Sequence, residues 1–295
     1  MDFTELRIKI KNEAEKGTFE SSTDLIQNLV FSLNKQELTP IITEIGAIPE
    51  DIGHDSSEEK LYAKVSDIVL SKCFQELGLK SSVIKERANC ADVVAKSQFH
   101  NYSLVGDAKS FRLNRTAKNA KDFKVTSMAK WKGDSDYAVL VCPYYQYPKS
   151  RSQIYGQALN DNIILFSWEY LSILLENNIT ETDQINISNL WNISFTLSGN
   201  TNIADKNNCF LGNQDEIIKL YLKLDEETFK NYFKRYRSNI IMRGETEIKY
   251  WKDKETEIKL YSRERAIIEL LSSLKLNEKI YSIKKYRDSL REEAE

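Results

Sequence analysis

Four short apolar runs, CADVVA, YSLVGDA, YAVLVCP and NIILFS, succeed one another between residues 90 and 167. Each is rich in Val, Ile, Leu or Tyr and is bounded by polar or turn residues, as strands of a partly buried sheet are. Between the second and third runs the sequence predicts a helix over about Lys118 to Lys132, and a second helix fits Ser150 to Leu159. The order strand, strand, helix, strand, helix, strand specifies a small mixed α/β core.

The flanks read as helices. Leu25, Ile26, Leu29, Val30 and Leu33 recur at helical spacing, and SSEEKLYAKVSDIVLSKCFQELG sets Leu61, Val65, Ile68, Val69 and Phe74 on one face. Ser56 and Ser57 can cap this second helix, Glu58 and Glu59 suit its first turn, and Gly78 suits its end. After Phe166 the chain returns to helical texture, with an exposed connector expected at Ser198 to Asn208. The expected organisation is a helical region over 1–80, an α/β core over 81–195 and a helical region over 196–295, or one continuous domain. The fold class is thus α/β, a small mixed sheet flanked by helices and predominantly helical overall.

Composition narrows the function classes. No run is long and apolar enough to cross a bilayer, and the first residues lack a signal peptide's hydrophobic stretch, so the expected location is cytoplasmic. Four scattered cysteines without a CxxC pair and only two histidines argue against structural zinc or a disulfide framework. A net charge of −2 is not that of a protein that coats nucleic acid. The distribution of charge differs: Lys109, Arg112, Arg115, Lys118, Lys121 and Lys124 follow at every third position, opposed only by Asp122. A step of three drifts around a helix instead of forming one stripe, so this segment reads as an anion-binding footprint.

The chemistry gathers beside that footprint. Asp92 interrupts the first small, apolar strand, and Asp107 ends the second, with Lys109 two residues on and on the same side of the strand. The spacing Asp-x14-Asp-x-Lys can bring two carboxylates and an ammonium to one sheet end. Two carboxylates can hold Mg²⁺ while it keeps waters, and a nearby lysine can orient or deprotonate a water and offset developing charge. Phosphodiester hydrolysis fits these parts. An acid-x-Lys triplet alone is weak, since Asp122-Phe123-Lys124, Glu247-Ile248-Lys249 and Glu257-Ile258-Lys259 also occur. The apolar strand before Asp107, the second acid-bearing strand and the basic run after it set this one apart.

These residues carry a resemblance. RANCADVVAKSQFHNYSLVGDAKSFRLNRTAKNAKDFKV resembles the core of the HindIII family of type II restriction endonucleases, within the PD-(D/E)xK nuclease superfamily. KLYAKVSDIVLSKCFQ, DYAVLVCPYYQYPKSRSQIYGQAL and ILFSWEYLSILL resemble further stretches of that family, and the likeness weakens in the C-terminal third. The resemblance implies that Asp92 and Asp107 are the metal-binding acids, the Ala108 carbonyl a further ligand of Mg²⁺, and Lys109 the catalytic lysine. Ala91 stands where the superfamily name has proline. Glu86 matches an acid near the site, and Glu59 could be another by superfamily analogy, although its plain reading is a first-turn helix acid.

Base contacts would fall to Asn119, Lys121 and Asp122, with Ala88 as a further one. Side-chain chemistry agrees, since Asn suits adenine, Lys suits guanine acceptors and Asp suits the cytosine amine. Arg112, Arg115 and Lys118 read as phosphate contacts that position without specifying. By resemblance the substrate is double-stranded DNA at the palindrome AAGCTT, cut to leave 5′ overhangs by a homodimer, with a methyltransferase protecting the same site in the host. Two other readings remain open from the residues: a catalytically silent, sequence-specific DNA-binding protein on this fold, and a structure-specific nuclease.

Overall fold

The computed structural model describes residues 1–84, 90–115, 119–149, 152–198 and 207–292, without the side chains of 207–209 and 286–292. Glu86, Ala88 and Lys118 lie outside the described residues.

Strands form where the apolar runs predict them. β2 (Lys80–Val83), β3 (Val93–Lys96), β4 (Ser103–Ala108), β6 (Tyr137–Cys142) and β7 (Ile163–Ser167) make one sheet in the order β2-β3-β4-β6-β7. β2, β3 and β4 pair antiparallel, whereas β4, β6 and β7 run parallel. The parallel half is nearly all buried, which explains why β6 and β7 read as continuous apolar runs without alternation. Two strands were not expected from sequence: β1 (Ala47–Ile48) and β5 (Phe111–Arg112) pair parallel as a separate two-stranded sheet. β2 was also unexpected, since KSSV lacks an apolar run and is recruited as an edge by pairing with β3.

Helices α1 (Phe3–Lys16), α2 (Phe19–Phe31) and α3 (Lys35–Ile45) precede α4 (Ser57–Glu76), the helix against the sheet. Ser56 caps α4 by accepting from the Glu59 N–H, as expected. Gly78 ends it at φ +93°, and a Cβ there would lie 2.7 Å from the Glu181 carbonyl oxygen, so glycine is required twice over. Ile26, Val30 and Leu33 are buried as the spacing of α2 predicts, but Leu25 is exposed.

The helix expected over Lys118 to Lys132 is two short ones, α5 (Ala120–Phe123) and α6 (Val125–Trp131), broken at Lys124 with φ +53° and ψ 34°. The break has a packing cause. Phe123 and Val125 are both buried, yet positions two apart on one helix point about 200° away from each other. The left-handed residue turns both inward, and Phe123 then stacks between Phe111 and Tyr147 with centroids 5.5 and 5.8 Å away.

A 3₁₀ turn (Tyr144–Gln146), α7 (Gln153–Asp161), α8 (Trp168–Glu176), α9 (Ser188–Trp191) and α10 (Ile193–Ser198) complete the surroundings of the sheet. α11 (Asn207–Leu222) and α12 (Glu226–Lys259) follow, then α13 (Arg263–Ser273) and α14 (Leu276–Glu292). The chain divides into two compact units, Met1–Arg243 and Gly244–Glu295. The first holds the sheet and one hydrophobic core drawn from α1 to α4, the strands, and residues as late as Tyr236. In the second unit α13 buries none of its residues, and Ile267, Leu270, Leu271 and Leu274 face solvent at helical spacing.

One buried acid group lies apart from the Asp92–Asp107 end of the sheet. Glu169 accepts the Tyr144 N–H at 2.8 Å, and Asp215 accepts the hydroxyls of Tyr144 and Tyr170 at 2.8 and 2.6 Å. Burial pushes Glu169 up to about 7, against the Tyr144 N–H, and Asp215 up to about 6, against the two hydroxyls. A raised folded value means that stability is complete below the unfolded carboxylate range and is lost as pH rises through about 7. The melting temperature should therefore fall between about pH 4.5 and 7, and Glu169→Gln, which keeps an acceptor for Tyr144, should flatten that fall. By the free energy of such a shift the variant gains about 3 kcal/mol at alkaline pH, read by thermal melts across pH.

Candidate active site

Register assembles the acids. The antiparallel pair Val93↔Gly106 puts Asp92 across from Asp107 one step further along, so the two side chains share a face at the end of β4. Lys109 follows on that side, its N–H continuing the ladder to the Val141 carbonyl at 2.7 Å. Asp107 is only 3% exposed, and the Lys109 ammonium lies against its Oδ2. Burial raises the Asp107 carboxyl above its usual range, Lys109 opposes this, and Asp92 adds to it by like-charge repulsion. The Lys109 ammonium is thus the cation that this buried Oδ2 meets.

Two further residues on α4 enter this cluster, and the sequence reading had passed them over. Asp67 is buried and its Oδ1 accepts the Ala108 N–H at 3.3 Å, which fixes the peptide between Asp107 and Ala108. Burial, then the charges of Asp92 and Asp107, hold the Asp67 carboxyl well above the carboxylate range, against Lys64 and Lys109. Lys64 Nζ lies 3.2 Å from Asp92 Oδ1. Gly106 permits this approach: a Cβ there would lie 3.0 Å from Phe74 and 3.2 Å from Leu70, so α4 sits close on β4. A signal for Asp67 existed in VSDIVLSKCF, where an acid stands inside a helix that is apolar nearly all round.

Asp92, Asp107 and the Ala108 carbonyl are hard oxygen donors of the kind Mg²⁺ takes, and the register that brings the two acids to one strand end fits them to such an ion. Among the described residues no three His, Cys, Asp or Glu side chains form a closed metal cage.

Other expected residues fall elsewhere. Arg112, expected on phosphate, is 4% exposed and donates inward to the Pro49 carbonyl at 2.9 Å and to Glu59 Oε1 at 2.6 Å. This corrects its assignment: pairing of β5 with β1 turns the guanidinium inside. Glu59, given an acid's part at the metal by analogy, is instead the partner of Arg112 and accepts the Asp55 N–H at 2.7 Å. Burial would raise its carboxyl, but Arg112, the Asp55 N–H and His54 outweigh that and leave it below the usual range.

Arg115 is half exposed and pairs with Asp122 at 2.6 Å, while its guanidinium lies 5.8 Å from the Phe111 ring centre. Asp122 Oδ2 accepts the Asn119 N–H at 2.8 Å as the third residue of a capping box, so it is bound locally. Asn119 and Lys121 are exposed at the start of α5. Beside the acids opens a cleft of about 730 Å³ whose walls include Lys60, Lys64, Asp67, Asp92, Lys124 and Trp131. The Lys124 ammonium lies 5.7 Å from the Trp131 ring centre.

No helix among the described residues is long and apolar enough to cross a membrane. The chain matches the family model described as HindIII restriction endonuclease over residues 15–287. The type II restriction enzyme HindIII of Haemophilus influenzae is 41% identical over 265 residues, which are 90% of this chain and 88% of that enzyme. With an acid pair and a lysine gathered at one end of a mixed sheet, and a match that runs far beyond them, this chain belongs to the HindIII restriction endonuclease family.

Proposed function

We propose that this chain hydrolyses double-stranded DNA at AAGCTT with Mg²⁺, cutting between the two adenines as a homodimer. Membership of the family carries the coarser statement: the chain is a type II restriction endonuclease, a site-specific deoxyribonuclease that binds DNA and uses a divalent metal. The observation that carries the mechanism is the cross-strand pair Asp92 and Asp107 with Lys109 at the same strand end.

Asp92, Asp107 and the Ala108 carbonyl would hold Mg²⁺, with Glu86 as a further acid near it. The metal supplies Lewis-acid polarisation of the scissile phosphate and a more acidic water. Lys109 would orient an attacking water and, as an ammonium, offset the negative charge that grows on the phosphate. Asp67 fixes the Asp107–Ala108 peptide, so the acid and the carbonyl keep their relative placement.

Asn119, Lys121 and Asp122 at the start of α5, with Ala88, are the base-reading residues, and Arg115 and Lys118 meet phosphates. For Asp122 this requires leaving its local bonds to Arg115 and the Asn119 N–H, an exchange of partners that DNA would drive. A palindrome presents two identical half-sites, which a two-fold pair of chains matches. A methyltransferase of the same specificity would protect the host.

The test is a Mg²⁺-dependent digest of long unmethylated DNA with every cut end sequenced. Discrete cuts at AAGCTT are expected, and uncut DNA that is nevertheless bound at specific sites would indicate a silent binding protein. In the same assay Asn119→Ala should lose about 1–3 kcal/mol of discrimination at one base pair. A uniform loss across sequences would make Asn119 a phosphate contact.

A further inference from the structure

Each acid of the pair has its own lysine. Lys109 lies against Asp107 from the strand, and Lys64 reaches Asp92 from α4 at 3.2 Å while donating to the Ile84 carbonyl at 3.1 Å. The two pairs differ in their freedom. Lys109 sits over a nearly inaccessible carboxylate, whereas the Asp92 side chain is 39% exposed and both it and Lys64 line the cleft.

Resting on the reading of Asp92 as a metal-binding acid, we propose that Lys64 is the resident counter-cation of Asp92, which the metal must displace, and that DNA phosphate in the cleft draws it away. A divalent ion on Asp92 and an ammonium at hydrogen-bond distance from the same carboxylate repel each other, so the two cations compete for one site. Lysine suits such an exchange, since its ammonium is a point charge on a flexible stem with rotatable donors. The destination is present as well: Lys60, one turn earlier on α4, and Lys124 line the same cleft, two further ammonium groups for a phosphate in a cleft that Glu13 and Asp67 also line. When a phosphate occupies that cleft, Lys64 exchanges one anion for another and leaves Asp92 open to the metal. Metal and DNA binding are thereby coupled, each favouring the other. Lys64 is in this sense a positioning residue that acts through Asp92.

The test reads metal binding without turnover: free Mn²⁺ measured by electron paramagnetic resonance, on the full chain without DNA. Lys64→Met should bind Mn²⁺ about fivefold more tightly than the parent, the worth of one half-exposed ion pair. Lys64→Gln, which keeps a donor for the Ile84 carbonyl, should do the same, and Lys64→Arg should stay near the parent. Asp92→Asn should lose the binding. Adding an AAGCTT duplex with a non-hydrolysable linkage at the scissile position should tighten Mn²⁺ binding in the parent and do so less in the two neutral variants. If Asp92→Asn abolishes binding while the neutral variants match the parent, the counter-cation role is wrong and the metal site stands. If Asp92→Asn binds Mn²⁺ as the parent does, the reading of Asp92 fails and the proposal with it.

Discussion

Lys109→Ala protein should bind an AAGCTT duplex in Ca²⁺ as tightly as the parent and should cut it in Mg²⁺ about a thousandfold more slowly, the scale of a lost charge-stabilising group. The structure adds a second consequence. Lys109 opposes the burial that raises Asp107, so without it the Asp107 carboxyl rises further and holds its proton at higher pH. Metal ligation needs the ionised carboxylate, so the variant's affinity for Mg²⁺ should depend more steeply on pH than the parent's, whereas turnover should not recover as pH is raised. Parallel titrations of binding and cleavage separate these effects. Loss of specific binding in Ca²⁺ together with cleavage would mean that Lys109 serves the DNA contact and not the chemistry.

Arg112→Ala should destabilise the fold by roughly 3–5 kcal/mol, the cost of leaving one partner of a buried pair alone. Its guanidinium is almost wholly enclosed, and its removal strips Glu59 of the cation that holds its carboxyl down. In a chain of this size the melting temperature should fall by at least about 6 °C. Because the side chain points inward, the dependence of DNA affinity on salt should not change for the protein that remains folded, whereas Arg115→Ala should reduce that slope by about one ion. A smaller loss for Arg112→Ala combined with Glu59→Gln than for Arg112→Ala alone would assign the effect to the pair. A changed salt slope with an unchanged melting temperature would return Arg112 to the phosphate backbone.

The comparison of Arg112 with Asp107 shows why one part of the site was legible in the sequence and another was not. Asp107 and Lys109 are two residues apart on one strand, and strand periodicity alone puts them on one side. Asp92 joins them through a register that the alternation of small and apolar residues around both acids pins down. Arg112 belongs to the same run of basic residues as Arg115, yet one faces inward and the other outward. That difference comes from Ala47 and Ile48, more than sixty positions earlier, pairing with Phe111 and Arg112. A two-residue strand carries no periodicity to read. The break at Lys124 has the same character: local propensity favours one helix, and the demand that Phe123 and Val125 both reach the core overrides it.

Lys64 and Asp67 stand one turn apart on a helix whose apolar face was evident, and both were hidden among its ordinary residues. What makes them part of the site is the closeness of α4 to β4 at Gly106, a contact between segments about forty residues apart. The sequence by itself determined the four main strands, the capped helix α4, and the residues of the acid–lysine motif, because each is written in local spacing. Tertiary structure decided which charges meet: Lys64 with Asp92, Asp67 with the Ala108 peptide, Arg112 with Glu59. Charge acts through distance and burial, and both are set by which distant segments pack together, information that no local window of the chain contains.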